Sequence, residues 1–178
     1  MRAKKTAGFT LFELMMTITV LGVLLGIGVP SFTDAIRNNR TAAQANELVT
    51  AFAVARSEAS RRGMPVAICA ASDATQTACA AVTQNSWANG WIVFTDINGT
   101  AGSVDAGDQI LQTWPAINSA LTLTSGNTGF VRFGANGAPI PATSTTFDLQ
   151  HSSCTGANHR RLQLNIIGRV QLTKQACT

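Results

Sequence analysis

Charge is scarce in this chain. Of its 178 residues only 12% are Asp, Glu, Lys or Arg, about half the roughly 25% usual for soluble domains. That excludes a charged, disordered chain. With 46% apolar residues, it argues for much surface held away from water. Catalytic signatures are missing as well: there is no G-x-S-x-G, no P-loop and no H-E-x-x-H. No base–orienter pair can be assigned to activate a nucleophile, so the enzyme reading has no residues behind it, and no cofactor is implied. The cysteines include no C-x-x-C pair, and His151 and His159 do not fall at zinc-ligand spacing from them. In their turn-rich loop both histidines read as solvated side chains.

The cysteines that are present number four: Cys69, Cys79, Cys154 and Cys177. Four allow three pairings. Pairing neighbours closes a short loop at Cys69–Cys79 and ties down the C-terminal end at Cys154–Cys177. An even count suits an oxidising compartment, with buried free thiols as the alternative. The net charge is +4, but Arg2, Lys4 and Lys5 supply three of its thirteen cations. Without them ten cations face nine acids, or +1, so the basic character belongs to the N-terminus.

Residues 9–29, FTLFELMMTITVLGVLLGIGV, are twenty-one residues with one charge, Glu13. As a helix they reach about 30 Å, the thickness of a bilayer core. A cleaved secretory signal is the competing reading. It fits poorly, because the run is long, carries an acid near its start and lacks a small-x-small site at its end. The small residue, Gly8, precedes the run instead. Arg2, Lys4 and Lys5 orient such a span with its C-terminal side outside the cytoplasm. Glu13 needs a partner, since a carboxylate within a membrane costs about 3 kcal/mol. Cleavage after Gly8 creates an amine on Phe9, four residues from Glu13, and that amine is the natural counter-charge.

Gly8-Phe9-Thr10-Leu11-Phe12-Glu13-Leu14 resembles the processing site of type IV pilins and of type II secretion pseudopilins. Pro30 falls where many pilins carry a helix-breaking proline. The resemblance implies that a prepilin peptidase cuts between Gly8 and Phe9 and methylates the new terminus. It also implies that Glu13 serves filament assembly, and that the partners are other pilins and an inner-membrane assembly platform.

Beyond Pro30, Ala45, Leu48, Phe52, Ala55 and Ala59 recur at spacings of three and four among polar residues. They predict an amphipathic helix ending at Arg61-Arg62-Gly63. Counted from Phe9 this helix is 54 residues, roughly 80 Å. After Pro65 the pattern turns to short runs between Gly, Asn, Ser and Thr clusters. These predict strands at 66–70, 90–95, 109–114, 120–124, 130–133, 146–149, 160–166 and 169–172, with long loops at 71–86 and 134–145. The fold class is therefore α+β, a long helix with an antiparallel β domain. Its expected divisions are a leader (1–8), an apolar helical half (9–30), an amphipathic half (31–63) and a β-rich domain (64–178).

Asn89-Gly90-Trp91-Ile92-Val93-Phe94-Thr95-Asp96, Asp105-Ala106-Gly107-Asp108-Gln109-Ile110-Leu111, Phe147-Asp148-Leu149, Arg160-Arg161-Leu162-Gln163-Leu164 and Gly168-Arg169-Val170 are similar to the GspH/FimT subgroup of minor pilins and pseudopilins. That implies a pilin-like fold, the helix's second half packed on the β domain, and a place at the tip of a filament crossing the periplasm. Some members of the FimT branch are DNA receptors with a Gly-Arg-x-Arg motif. Here Gly168-Arg169-Val170-Gln171 keeps only the first Arg. Arg160, Arg161, Arg169 and Lys174 are nevertheless a candidate phosphate-binding face, against a solvated strand balanced by Asp148. Asp96, Asn98, Asp105 and Asp108 crowd one loop and invite a calcium reading. Counted as an EF-hand from Asp96, the sixth and twelfth positions are Ala101 and Gly107, so the loop is not one. Trp87, Trp91 and Trp114 read as packing residues.

If the Gly8–Phe9 junction is processed, assembled chains start at a methylated Phe9, and Gly8→Val leaves uncleaved precursor in the membrane. N-terminal mass spectrometry of filament material decides it; an intact Met1 there contradicts the reading.

Overall fold

The structure, a computed structural model, describes residues 8–100, 102–126 and 128–177. Helix α1 spans Leu11–Arg62 and is continuous through position 30. The chain forms two compact units that divide between Arg37 and Asn38, so α1 belongs to both.

In the first unit, Thr10 opens the helix. Its hydroxyl accepts the Glu13 amide N–H at 3.2 Å, meeting one of the donors a helix start leaves unpaired. The Glu13 carboxylate lies in the first turn, where the helix dipole favours negative charge. From Phe9 to Ile36 every large apolar side chain that the structure describes is more than half exposed. The hydroxyls of Thr17 and Thr19 turn back onto the carbonyls of Leu14 and Met15, both at 2.8 Å. Their polar groups are thus met within the helix, as an apolar environment requires.

In the second unit the helix has the opposite character. Thr41, Ala45, Leu48, Ala51, Phe52, Ala55 and Ala59 are buried, at the three- and four-residue spacing that keeps one face inward. Gly63 ends it with φ 65° and an amide N–H to the Ala59 carbonyl at 3.0 Å, the left-handed stop that glycine makes without steric cost. In the last turn Arg61 and Arg62 both hold Glu58, at 2.6 and 2.7 Å. These hydrogen bonds lower the Glu58 pKa from 4.5 to about 2. A lowered carboxylate pKa stabilises the fold above the ordinary value, and that contribution is lost as pH falls toward about 2.

Nine strands follow among the described residues: β1 (Val66–Ala70), β2 (Trp91–Thr95), β3 (Ile110–Trp114), β4 (Leu121–Ser125), β5 (Phe130–Phe133), β6 (Pro139–Ile140), β7 (Thr145–His151), β8 (His159–Leu164) and β9 (Val170–Gln175). They form two antiparallel sheets, β3-β2-β1-β5-β6 and β4-β7-β8-β9. β1 and β2 read VAICA and WIVFT and are buried throughout, because both faces of their sheet are covered. One face joins the main core with the helix; on the other, Ala67, Cys69, Ala71, Ile92 and Phe94 pack with Val104 and Phe130. β4 alternates, with Leu121, Leu123 and Ser125 inward and Thr122 and Thr124 outward.

Phe52 joins the layers. Its ring lies 6.4 Å from Phe133 of β5 and 5.0 Å from Phe147 of β7, and Trp87 meets Phe147 edge-on at 5.1 Å. One helical side chain therefore touches both sheets. β6 lies within 134–145, where the sequence predicts only loop; its two residues, one of them proline, make an edge strand paired to β5. Phe52→Ala should cost about 3–5 kcal/mol. Denaturant unfolding of the full chain in detergent, followed by tryptophan fluorescence, checks this. A loss below about 1 kcal/mol contradicts Phe52 as the joint.

Candidate functional site

Residues 1–7, which hold Arg2, Lys4 and Lys5 of the expected leader (1–8), lie outside the described residues. Gly8 and Phe9 precede the helix, and Phe9 is 81% exposed. Glu13 shares a groove with Met16, Thr17, Val20, Leu21 and Leu24 along the helix. Apart from Glu13 and Thr17 the lining is aliphatic or thioether. No ion pair to Glu13 is found among the described residues. The helix is long and apolar enough to cross a membrane, and its one acid within residues 9–29 lies in this groove.

The loop after β2 ties its carboxylates to itself. Asp96 is buried beside Arg132, Nε to Oδ2 at 2.8 Å, in an ion pair not aligned as a hydrogen bond. Burial pushes the Asp96 carboxyl upward, and the Arg132 charge offsets part of that rise. The other Asp96 oxygen accepts the Gly99 amide at 2.9 Å. Asp108 accepts the amides of Ile97 and Asp105, Asp105 accepts the Ser103 hydroxyl, and Asn98 donates to the Ala106 carbonyl. Hydrogen bonds from Thr100 and Ser103 lower the Asp105 pKa. These contacts shape the loop. Among the described residues no group of three His, Cys, Asp or Glu side chains is placed to hold a metal.

The structure does not gather the four C-terminal cations on one face. Arg160 points into the core side of β8 and is buried, donating to the Ala157 and His159 carbonyls and to Asn38 Oδ1. Burial lowers its pKa. Arg161 points the other way and donates from Nε to Asp148 Oδ1 at 2.7 Å, which raises its own pKa. Lys174 pairs in register with Arg160, whereas Arg169 sits in the β8–β9 turn. Five residues separate these two exposed cations, about 17 Å along a strand. In that turn Gly168, at φ 78°, brings its backbone against the Gly137 carbonyl, where a Cβ would lie at 2.5 Å.

His159 departs from the solvated reading. It is buried at the start of β8, and its Nε2 lies 2.8 Å from Asp148 Oδ1. Sequence gives no sign of this, because it depends on the register of β7 against β8. His151 accepts the Ser153 amide on Nδ1. Trp87 donates to the Thr128 carbonyl, and Trp91 and Trp114 stack at 6.4 Å.

Cys69 is joined to Cys79 and Cys154 to Cys177, with Cα separations of 5.6 and 5.7 Å. The first staples the 71–86 loop to β1. The second holds the β7–β8 turn to the end of β9, where the Cys177 amide also donates to Gly156.

A helix with an apolar first part and a second part packed on antiparallel sheets is the type IV pilin-like fold. Residues 44–168 match the family described as Type II transport protein GspH, and residues 3–29 match the prokaryotic N-terminal methylation motif. The chain belongs to the GspH family. It is similar to a crystal structure of the Pseudomonas aeruginosa PAO1 type IV minor pilin FimU, at 25% identity and TM-score 0.61, over 79% of this chain and 96% of that one. A second crystal form of FimU shares the fold at 24% identity and TM-score 0.55, over 76% and 98%. No curated protein sequence matches significantly. The family and fold are those of structural, non-enzymatic proteins that assemble with other pilins.

Removing the Cys154–Cys177 bridge, by replacing both residues with Ser, should lower stability by about 3 kcal/mol from loop entropy. Denaturant unfolding measures the loss, and non-reducing peptide mapping checks the pairing. Four free thiols or crossed pairs contradict it.

Proposed function

We propose that this chain is a minor type IV pilin. In this reading a prepilin peptidase processes it between Gly8 and Phe9, the inner membrane holds it by residues 9–30, and it enters a filament at the tip or initiation complex. One observation carries the reading: an apolar helical surface, its described large side chains exposed from Phe9 to Val29, with a single carboxylate at Glu13. A plain anchor needs the apolar surface but gains nothing from the acid. A subunit that docks against other helices uses it, because the positively charged amine of a processed Phe9, on a neighbour or the same chain, is opposite in sign to Glu13 and four residues from it in sequence. The β domain then lies on the periplasmic side and meets neighbouring subunits.

A second reading, a minor pseudopilin of type II secretion, is favoured by the description of the matching family. The two differ in the machine and share the assembly step. A DNA-receptor role draws less support. With Arg160 buried and Arg161 paired to Asp148, Arg169 and Lys174 remain as exposed cations of that set.

Glu13→Leu tests the assembly step. The variant removes the costly carboxylate, so it should insert in the membrane at least as well as the parent. It should nonetheless be lost from sheared filaments, by tenfold or more on immunoblots against the membrane fraction. Incorporation at the parental level contradicts the pairing.

A further inference from the structure

Between the second half of the helix and the β8–β9 turn lies a groove of about 400 Å³. Val49 and Ala53 of the helix and Val170 of β9 give it an apolar lining. Arg56 and Arg169 also line it, and no carboxylate does. Val49, Ala53, Arg56 and Ser60 follow spacings of four, three and four, so they share one face of α1. That face is not the buried one: Ala53, Arg56 and Ser60 are exposed.

The fold holds both cations in place. Arg56 lies against two glycines. A Cβ on Gly137 would come within 3.2 Å of its Nε, and one on Gly168 within 3.4 Å. Its Nη1 donates to the Gly168 carbonyl at 3.3 Å. The turn that carries Arg169 is fixed by Asn165, whose Oδ1 accepts the amides of Ile167 and Arg169 at 3.1 and 2.8 Å. The Arg169 guanidinium itself has no partner among the described residues. In the same turn Ile166 and Ile167 are 55% and 61% exposed.

The chain supplies no counter-charge. All seven acids beyond Asn38 are engaged elsewhere. Glu58 is held by Arg61 and Arg62, Asp96 by Arg132, and Asp148 by Arg161. Glu47, Asp73, Asp105 and Asp108 accept hydrogen bonds within their own segments. A second copy of the described unit therefore brings no unengaged carboxylate to the groove.

We propose that this groove docks a different subunit, through a segment that carries an aliphatic side chain beside a carboxylate. The inference rests on the reading of this chain as a filament subunit. The aliphatic group covers Val49, Ala53 and Val170, removing apolar surface from water. The carboxylate accepts from Arg56 and Arg169, whose planar forks suit it. Phosphate alone would leave the apolar lining wet. Opposite charge fixes the register of the partner, and the exposed isoleucines of the turn add apolar contact.

The test places a photo-crosslinking amino acid at Ala53 of the full chain in its own cells. Adducts are identified by mass spectrometry in both membrane and filament fractions. Absence of the chain from filaments contradicts the filament-subunit reading, whereas the groove is still read in the membrane. The proposal expects an adduct with a different pilin-like subunit, mapped to a peptide with Asp or Glu beside Leu, Ile or Val. Arg169→Glu should weaken it at least fivefold, and reversing the mapped acid to Lys should restore it. Lys174→Glu, an exposed charge outside the groove, should leave it unchanged. Adducts only with second copies, adducts that nuclease removes, or none in either fraction overturn the proposal. So does an adduct that Arg169→Glu leaves at the parental level.

Discussion

An apolar helical surface left uncovered by the described residues of its own chain is the constraint on which the rest depends. From Phe9 to Ile36 the large side chains are more than half exposed, and apolar surface in water costs about 25 cal/mol per Å². Such a segment exists only where lipid or similar helices surround it. Its backbone is already met by its own helical hydrogen bonds, and the threonine hydroxyls are turned inward on Leu14 and Met15. Within residues 9–29 Glu13 is the one charged side chain. In the proposed reading that carboxylate is met when the surroundings change from lipid to helices that bring a positive charge.

The second half of the helix solves a different problem. Ala45, Ala51, Ala55 and Ala59 are small, so two sheets approach closely, while Leu48 and Phe52 fill the space between them. Phe52 reaches both Phe133 and Phe147. The two disulfides add staples at the 71–86 loop, which places Ala71 and Ala80 in the core, and at the last residues of the four-stranded sheet. Thus the folded unit needs few charges: buried Asp96 is paired to the half-buried Arg132, and buried Arg160 is bonded to backbone and amide groups.

Much of this was legible in the sequence. The helical stripe from Ala45 to Ala59 follows from spacing alone, and β5 falls at the expected residues because Phe130–Phe133 is a clear apolar run between turn residues. β6 was not legible, since two residues carry no period and one is proline. Nor was the fate of the basic residues. Adjacent positions on a strand point to opposite faces, so Arg160 and Arg161 were bound to separate, but which one turned inward depended on the register against β7. The same register sets His159 and Arg161 on Asp148, a long-range placement no local pattern records.

The most direct test of the central claim asks what covers the first half of the helix. A photo-crosslinking amino acid at Val20, which is 54% exposed, reports its neighbours in the membrane and in sheared filaments. The account expects crosslinks to the N-terminal helices of other pilins in the filament fraction. Chains that crosslink only to lipid, and never appear in filaments, contradict it.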